Sequence, residues 1–286
     1  MKAGVIGLGD MGSGLARNLI ANGFETSGFD LSEPRMAQFA EMGGVGCTGV
    51  GDVGRHADIV YVMVMIGEDG LAATMAEGGI IMLTATIKPS EARDIGDGLV
   101  GTGIRMVDSP VSGGFPGAQG GTLTMMAAAP DDVLEAARPA MEAVSATIHH
   151  VGRNAGDGQV MKACLQSIIG SIFSATFEAA ALAAKAGVSG QALYNVVSSS
   201  GAGCGITSGA LENIIDRKFE GTGSGIGTMH KDLTISLAMA EELGVPLFTA
   251  ATAMQIFHQG KTKYPHGDNW ICTRVIEDII GAELHR

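Results

Sequence analysis

A short apolar run at residues 3–6 leads directly into Gly7-Leu8-Gly9-Asp10-Met11-Gly12. A predicted strand, then G-x-G-x-x-G, then a helical pattern is the fingerprint of a dinucleotide-binding βα turn. Gly7 permits the tight turn, Gly9 lets the backbone approach a pyrophosphate, and Gly12 allows close packing of the helix. We therefore expect residues 7–12 to bind the phosphates of a dinucleotide, helped by the positive end of the following helix.

Asp30 ends the next apolar run, 18 residues after Gly12. An acidic side chain at this place accepts hydrogen bonds from the adenosine ribose diol and repels a 2′-phosphate. This position predicts NAD as the cofactor, with NADP less favoured. The alternative is that Asp30 only caps the following helix, although Ser32 is available for that role.

Short apolar runs alternate with amphipathic stretches from residue 3 to about residue 151. The predicted strands are 3–6, 26–29, 59–65, 80–84, 105–108, 123–128 and 148–151. The predicted helices between them are 11–22, 34–42, 89–100 and 131–143. This alternation is typical of an α/β fold, a doubly wound and mostly parallel sheet of the Rossmann type.

After the glycine-rich segment 152–158 the pattern becomes helical throughout. The predicted helices are 159–186, 189–199, 208–217, 229–243, 246–260 and 270–283. The glycine- and serine-rich stretches 198–209 and 221–227 are interpreted as loops. The sequence thus predicts a dinucleotide-binding domain at 1–152 and an all-helical substrate and oligomerisation domain at 153–286, which begins with a long interdomain helix.

The composition excludes several classes of protein. Its 286 residues are 46% hydrophobic and 17% charged, with 44 glycines, which is typical of a globular chain rich in turns. A net charge of −12 argues against a nucleic-acid partner. The most apolar stretch, 164–184, carries Glu178 and several other polar residues, which argues against a membrane span.

No metal, redox or export signal is found in the sequence. The cysteines stand at 47, 164, 204 and 272, without a C-x-x-C spacing. His149 and His150 would face opposite sides of a strand, so we expect no metal site. The N-terminus lacks a secretory hydrophobic segment, from which we expect a cytoplasmic location.

A second motif reads Asp108-Ser109-Pro110-Val111-Ser112-Gly113-Gly114. It resembles the substrate-binding segment of the β-hydroxyacid dehydrogenases, the family of 3-hydroxyisobutyrate, tartronate semialdehyde and threonate dehydrogenases. The resemblance implies that the Ser112 hydroxyl and the amides of Gly113 and Gly114 hold the substrate carboxylate. Consecutive amides without side chains form an anion-binding nest. The alternative is that these glycines only build a crossover turn.

A third motif, from Gly156 to Gln166, resembles the family's G-x-G-x-x-x-K-x-x-x-N. The resemblance points to Lys162 as the catalytic base. Its apolar neighbours and the cationic nicotinamide ring would disfavour the charged form of the amine, as a general base requires. The alternative is an ordinary solvated lysine on a helix face. Lys162 and Gln166 are four residues apart, so both side chains lie on one helical face.

Gln166 departs from the commoner asparagine and matches the threonate dehydrogenase-like branch. One extra methylene moves the amide by about 1.5 Å. We therefore expect Gln166 to contact the substrate and to favour a hydroxylated acid such as threonate over 3-hydroxyisobutyrate.

The remaining cofactor contacts are implied by the resemblance. It places Lys231, within His230-Lys231-Asp232, near the nicotinamide side, with Asp232 holding the lysine. It also implies contacts from Thr86, and from Val64 and Met65 beneath the dinucleotide. For Lys231 and Asp232 a surface salt bridge is the equally good alternative.

The sequence therefore predicts an NAD-dependent oxidoreductase that transfers a hydride between nicotinamide and a small 3-hydroxy carboxylic acid. One alternative is reduction of the matching semialdehyde as the physiological direction, which uses the same residues. Another is a catalytically silent dinucleotide-binding protein, because a fold does not dictate activity; Lys162 argues against it. The alanine-rich helix 159–186 and the family resemblance predict a homodimer or homotetramer, with a monomer as the alternative.

Overall fold

The structure, a computed structural model, describes residues 1–64 and 74–286. The chain divides into two units, Met1–Lys162 and Ala163–Arg286. The division falls inside a long helix, whereas the sequence predicts the domain boundary at 152/153, before that helix. The reason is that backbone amides at the start of the helix donate to Asp108, a residue of the first unit.

The first unit contains one sheet, nine-stranded over the described residues, with the strand order β3-β2-β1-β4-β5-β6-β8-β7 and with β9 paired to β8. The first six strands in this order, from β3 at the edge to β6, are parallel to one another. Strand β8 is antiparallel to β6 and β7, and β9 is parallel to β8. The strands are β1 Ala3–Ile6, β2 Thr26–Phe29, β3 Val45–Gly46, β4 Ile59–Val62, β5 Ile80–Leu83, β6 Arg105–Asp108, β7 Val111–Ser112, β8 Leu123–Ala128 and β9 Ser145–Gly152.

Helices connect these strands. In the described residues of the first unit they are α1 Asp10–Ala21, α2 Glu33–Glu41, α3 Val50–His56, α4 Pro89–Gly98, α5 Gly114–Gly120 and α6 Asp131–Val144. Strand β1 shows why the sheet is central: all four of its residues are buried, and Val5 and Ile6 belong to different hydrophobic clusters. Because side chains alternate across a strand, both faces of the sheet are covered, and the doubly wound α/β prediction is confirmed.

The predicted and observed elements differ where the elements are short. Strands β3 and β7 contain two residues each, and helices α3 and α5 contain several glycines, so none of them has a detectable hydrophobic period. The run predicted at 59–65 forms a strand only to Val62, and its last residue, Met65, lies outside the described residues. The strand predicted at 148–151 is longer, Ser145–Gly152.

Helix α7, Asp157–Ala186, is 30 residues long and passes from the first unit into the second. The second unit continues with α8 Gly190–Ser199, α9 Gly205–Ile215, α10 Ile226–Leu243, α11 Phe248–Lys263, a 3₁₀ turn Asn269–Ile271, and α12 Cys272–Ile280. Its core contains an aromatic cluster in which the Phe173 ring centroid lies 5.8 Å from Phe177 and 6.3 Å from Phe257 and Trp270. The predicted helical second domain is confirmed.

The stretch 198–209 is only partly a loop, so its interpretation as one loop was wrong. Helix α9 begins at Gly205, because the Thr207 hydroxyl accepts a hydrogen bond from the Cys204 amide, 2.9 Å away, and fixes the first turn. Glycine and serine content alone does not show such a cap.

Among the described residues, one helix is long and apolar enough by length and composition to cross a membrane, Asp157–Ala186. Such a helix also occurs in the core of globular folds, and 44% of its apolar window is buried within the protein.

Candidate active site

The loop between β1 and α1 carries the glycine motif. Gly7 has φ +87°, a conformation that side chains rarely adopt, and a Cβ on Gly12 would lie 1.7 Å from the carbonyl oxygen of Gly7. A Cβ on Gly9 would lie no closer than 3.7 Å to its neighbours. The folded chain therefore requires glycine at 7 and 12, whereas glycine at 9 leaves room at the start of α1 for a ligand.

Asp30 follows β2 and is tied to this loop. Its Oδ2 accepts a hydrogen bond from the Leu8 amide at 2.7 Å, and its Oδ1 accepts one from the Ser32 amide at 2.9 Å. The carboxylate, with 8% of the side chain exposed, is thus held in the position expected for a ribose contact. Oδ1 keeps a second lone pair for a ribose hydroxyl, whereas Oδ2 also accepts a hydrogen bond of 3.5 Å from Arg35 Nη1.

Arg35 is a cation beside this carboxylate that the sequence analysis did not single out. Its Nη1 lies 3.5 Å from Asp30 Oδ2, and its guanidinium is the nearest group to the position of a Cβ on Gly9. A guanidinium at this place can meet a 2′-phosphate. The sequence could have indicated this arginine, because Arg35 lies five residues after Asp30, in the first turns of the helix that follows it.

The other predicted cofactor residues of the first unit lie near the carboxyl ends of the strands. The Val64 side chain packs against the tight turn, because a Cβ on Gly7 would lie 2.4 Å from Val64 Cγ1. Thr86 is half-buried in the segment after β5, which is anchored by Thr84 Oγ1 donating to the Val62 carbonyl at 2.9 Å. Met65 lies outside the described residues.

The predicted substrate segment forms β7 and the start of α5. Ser112 ends β7, and Gly113 and Gly114 follow with φ of +128° and +59°, both in the region that favours glycine. The segment is positioned by α1: Asn18 Nδ2 donates to the Ala118 carbonyl at 2.8 Å. The helix that begins at the dinucleotide loop therefore also supports the predicted carboxylate nest.

Lys162 lies against this segment. It is 6% exposed, and its Nζ donates to the carbonyl oxygen of Val111 at 2.9 Å, one residue before Ser112. Lysine is rarely so buried without a function or a partner. The structure therefore brings together Lys162, Ser112, Gly113 and Gly114 within the first unit, and the alternative of a solvated lysine is wrong for this side chain.

A buried carboxylate, Asp108, holds the beginning of the helix that carries Lys162. Its Oδ2 accepts hydrogen bonds from the amides of Gly156 at 2.9 Å, Gly158 at 3.0 Å and Gln159 at 3.3 Å. Three amides and a negative charge at a helix N-terminus are a favourable combination. Burial raises the pKa of Asp108 to about 6, although these hydrogen bonds and the one from the Gln159 side chain oppose the rise.

Gln159 connects Asp108 to the segment that contains Thr86. It is 1% exposed, its Nε2 donates to Asp108 Oδ1 at 2.8 Å and to the Ala85 carbonyl at 3.1 Å, and its Oε1 accepts from the Ile87 amide at 3.1 Å. Sequence reasoning missed the role of both side chains. Asp108 was visible only as a carboxylate at a strand end, and its partners lie about fifty residues later.

In the second unit, Gln166 belongs to a polar chain with Asp232 and Lys231. Gln166 Nε2 donates to Asp232 Oδ2 at 2.5 Å, and Lys231 Nζ lies 2.8 Å from Asp232 Oδ1. Because a carboxylate only accepts, the Gln166 nitrogen must face Asp232, which leaves Oε1 for another group. Asp232 is 3% exposed and the Lys231 side chain is 42% exposed, so the ion pair joins a buried carboxylate to a lysine that reaches the surface.

These residues fit a nicotinamide dinucleotide. The glycine loop has space at Gly9, the N-terminus of α1 presents its amides without a side-chain cap from Gly9, and Asp30 stands at the end of β2. A carboxylate nest and a buried amine next to it suit an alcohol or carbonyl that carries a carboxylate.

Two family models match the chain. Residues 2–152 match the NAD-binding domain of 6-phosphogluconate dehydrogenase, and residues 156–276 match the model described as NAD-binding of NADP-dependent 3-hydroxyisobutyrate dehydrogenase. Together they cover both the sheet and most of the helical part.

Individual relatives agree with the family models. L-threonate dehydrogenase of Cupriavidus necator is 31% identical over 290 residues, covering 98% of this chain and 97% of that protein. 3-hydroxyisobutyrate dehydrogenase of Pseudomonas aeruginosa is 30% identical, covering 88% of this chain and 89% of that protein. The crystal structure of 3-hydroxyisobutyrate dehydrogenase from Salmonella typhimurium superimposes with a TM-score of 0.88 at 27% identity, covering 96% and 99% of the two chains.

The resemblance stated from the motifs is therefore confirmed, as are the enzyme class and the cofactor class. The chain belongs to the 3-hydroxyisobutyrate dehydrogenase-like β-hydroxyacid dehydrogenases and is an oxidoreductase that uses a nicotinamide dinucleotide.

Proposed function

We propose that the protein oxidises a small, hydroxylated 3-hydroxy acid and that it prefers threonate to 3-hydroxyisobutyrate. The observation that supports the reaction best is the hydrogen bond of 2.9 Å from Lys162 Nζ to the Val111 carbonyl, next to Ser112 and the two glycines. It places a buried amine beside a set of donors suited to a carboxylate. A catalytically silent dinucleotide-binding protein would have no use for this pairing.

Separate residues of the chain bind the substrate and transfer the proton. The Ser112 hydroxyl and the Gly113 and Gly114 amides hold the substrate carboxylate and thereby fix the substrate relative to Lys162. One N–H of Lys162 donates to Val111. The lone pair of the neutral amine then faces the substrate hydroxyl and removes its proton. When bound, the nicotinamide ring supplies the hydride acceptor.

The same arrangement serves the reverse direction. Protonated Lys162 returns a proton to the carbonyl oxygen of a semialdehyde while the carboxylate contacts stay unchanged. By microscopic reversibility the residues are identical for both directions. We expect the oxidation to be the easier direction to measure, because the hydroxy acids are stable in solution.

Gln166 supports the choice of substrate. Its Nε2 is held by Asp232 at 2.5 Å, so the group it offers is the carbonyl oxygen Oε1. A carbonyl oxygen accepts a hydrogen bond, and the matching substrate group is a hydroxyl. Threonate carries additional hydroxyls, whereas 3-hydroxyisobutyrate has a methyl group in place of one. A relative that matches 98% of this chain is an L-threonate dehydrogenase, which agrees with this preference.

The test is a comparison of kcat/KM for threonate and 3-hydroxyisobutyrate, and for their oxidation products, a keto acid and a semialdehyde, with reduced nicotinamide followed by absorbance. Losing the Gln166 contact should cost about 1 to 3 kcal/mol, roughly 5- to 150-fold in kcat/KM for threonate. In Gln166→Asn the threonate-to-hydroxyisobutyrate ratio should fall by that factor. Ser167→Ala, the next residue of the same helix, is the matched control and should leave the ratio unchanged.

A wild-type preference for 3-hydroxyisobutyrate, together with an unchanged ratio in Gln166→Asn, would contradict the proposed substrate. It would leave the reaction class intact, because that rests on Lys162 and the carboxylate nest.

We also propose that the chain forms a homodimer or homotetramer. Large apolar side chains are exposed on helices of the second unit, including Ile168 at 58%, Leu182 at 73% and Phe248 at 80%. Exposed apolar groups of this size on one unit favour association. Light scattering coupled to gel filtration decides between these states, and a monomer at micromolar concentration would refute the proposal.

A further inference from the structure

A cluster of three different metal-ligating side chains lies at the edge of the sheet in the first unit. One atom each of Cys47, Asp52 and His56 falls within 4.8 Å of the other two. Cys47 follows the edge strand β3, and Asp52 and His56 lie one turn apart on α3. In the sequence these residues form a C-x₄-D-x₃-H pattern, which is neither a C-x-x-C pair nor a pair of neighbouring histidines.

The backbone fixes the three side chains. The Cys47 amide donates to the Gly28 carbonyl at 2.9 Å, which ties the cysteine to β2. Asp52 Oδ2 accepts hydrogen bonds from the Thr48 amide at 3.0 Å and the Thr48 hydroxyl at 3.2 Å. His56 Nδ1 lies 2.7 Å from the backbone carbonyl oxygen of Asp52, one turn earlier, and 3.4 Å from Asp52 Oδ1. The ligand atoms are therefore close because of the fold, with the histidine as the adjustable member at the surface.

The donor set selects the class of ion. A thiolate, an imidazole and a carboxylate together suit a borderline divalent cation such as Zn²⁺, and not Mg²⁺ or Ca²⁺. Zinc bonds of about 2.0 to 2.3 Å put tetrahedral ligands roughly 3.2 to 3.8 Å apart, so ligand atoms that lie within 4.8 Å of one another need to approach by at most about 1.6 Å. The His56 side chain, 55% exposed, can make this movement, and solvent can take the fourth position.

The charge balance also suits a divalent ion. Thiolate and carboxylate together supply two negative charges, which one Zn²⁺ neutralises. Asp52 Oδ1 now has Arg55 Nη2 at 3.3 Å, an exposed ion pair that is easily exchanged. A metal–sulfur bond requires the thiolate form of cysteine, so forming this bond releases the proton of the Cys47 thiol.

The local structure would gain from such a link. Helix α3 has seven residues, two of which, Gly51 and Gly54, are poor helix formers, and β3 has two exposed residues. A metal held by Cys47 before the helix and by Asp52 and His56 within it would connect both turns of α3 to the edge of the sheet. This stabilisation is independent of the active-site chemistry.

We propose that Cys47, Asp52 and His56 bind one Zn²⁺-class divalent ion that stabilises the edge of the first unit. The test is a titration of the full-length, reduced protein with Co²⁺, in which the two exposed cysteines are replaced (Cys164→Ser, Cys204→Ser) so that the buried Cys47 is the thiol tested. Bound Co²⁺ should give a thiolate charge-transfer band at one equivalent, and Zn²⁺ should displace it. Binding should release one proton and raise the thermal midpoint.

Three substitutions examine the ligands. Cys47→Ser should abolish the charge-transfer band, and His56→Asn and Asp52→Asn should each weaken binding roughly tenfold or more. His258→Asn is the control, because His258 forms an exposed pair with His230, 2.8 Å apart, that could bind Co²⁺ without a thiolate. Each variant is compared with the parent protein in a chelator, where equal thermal midpoints show that it folds.

The proposal is overturned if the parent protein shows no thiolate band, or if Cys47→Ser binds the metal as tightly as the parent. It is equally overturned if Zn²⁺ binds with one equivalent but leaves the thermal midpoint unchanged, since the ion would then stabilise nothing.

Discussion

In the proposed reaction, Lys162 is the side chain on which the chemical step depends most directly. Replacing it with methionine keeps the apolar stem and removes the amine, so Lys162→Met should lower kcat roughly 10²- to 10⁴-fold. The affinity for NAD should stay nearly unchanged, because the Lys162 amine donates to Val111, which belongs to the predicted substrate segment. Single-turnover kinetics and NAD titration by fluorescence measure the two effects separately. A near-native kcat in the variant would refute the role of base.

We expect the choice between NAD and NADP to depend on two residues of opposite charge. Asp30 is held by the amides of Leu8 and Ser32, and Arg35 lies 3.5 Å from it. Asp30 repels a 2′-phosphate, whereas Arg35 attracts it, so the wild-type preference for NAD should be moderate. We expect discrimination of about 1 kcal/mol, which is roughly fivefold.

Removing the cation should enlarge this preference. In Arg35→Ala we expect KM for NADP to rise about tenfold while KM for NAD changes little, because the exposed guanidinium meets only the extra phosphate. Arg55→Ala, an exposed arginine elsewhere in the first unit, is the matched control. An equal loss for both cofactors in Arg35→Ala would show that the arginine acts on the loop and not on the phosphate.

At the scale of elements, the start of α7 is the feature that the sequence hides. The motif from Gly156 to Gln166 predicts a helix that bears Lys162, and the structure contains that helix, Asp157–Ala186. What sets its first turn is Asp108, about fifty residues earlier, together with Gln159. Such pairings depend on the fold, so hydrophobic periodicity cannot reveal them. Gln166 is a parallel case, since its partner Asp232 lies 66 residues later.

This helix start should depend on pH. The pKa of Asp108 is raised to about 6 from an unfolded value near 4, so the native state binds the proton more tightly. Its contribution to stability is therefore fully present at low pH and is lost as pH rises through about 6. Between pH 5.5 and 7.5 the free energy of unfolding should fall by about 1 kcal/mol through this group.

Asp108→Asn isolates that contribution, because asparagine does not titrate. The variant should be less stable than the wild type, and the difference between the two should shrink by about 1 kcal/mol from pH 5.5 to 7.5. Urea unfolding at several pH values measures it. Asp97→Asn, on an exposed position of α4, serves as the control. A difference that is constant with pH would show that Asp108 stays ionised throughout.

For the molecule as a whole, the two domains could be predicted from the sequence, whereas the shortest strands and helices could not. The alternation of apolar runs predicted the sheet, and the helical periodicity after residue 158 predicted a helical second part, both of which the fold comparisons confirm. Strands of two residues, such as Val45–Gly46, lie below the length at which periodicity can be read. The net charge, by contrast, follows from the sequence alone, and it predicts how salt affects the activity of the whole molecule.

The net charge of −12 acts on every anion that approaches. Twelve charges about 25 Å from an approaching carboxylate repel it by about 2 kcal/mol in unscreened water. The Debye length falls from about 30 Å at 0.01 M salt to about 10 Å at 0.1 M, which removes on the order of 0.5 kcal/mol of that repulsion. The buried Lys162 and the amides of the nest are screened much less. Hence kcat/KM for the hydroxy acid should rise about twofold between these salt concentrations, measured in KCl at saturating NAD. A fall with added salt would show that exposed cations near the site, and not the net charge, govern the encounter.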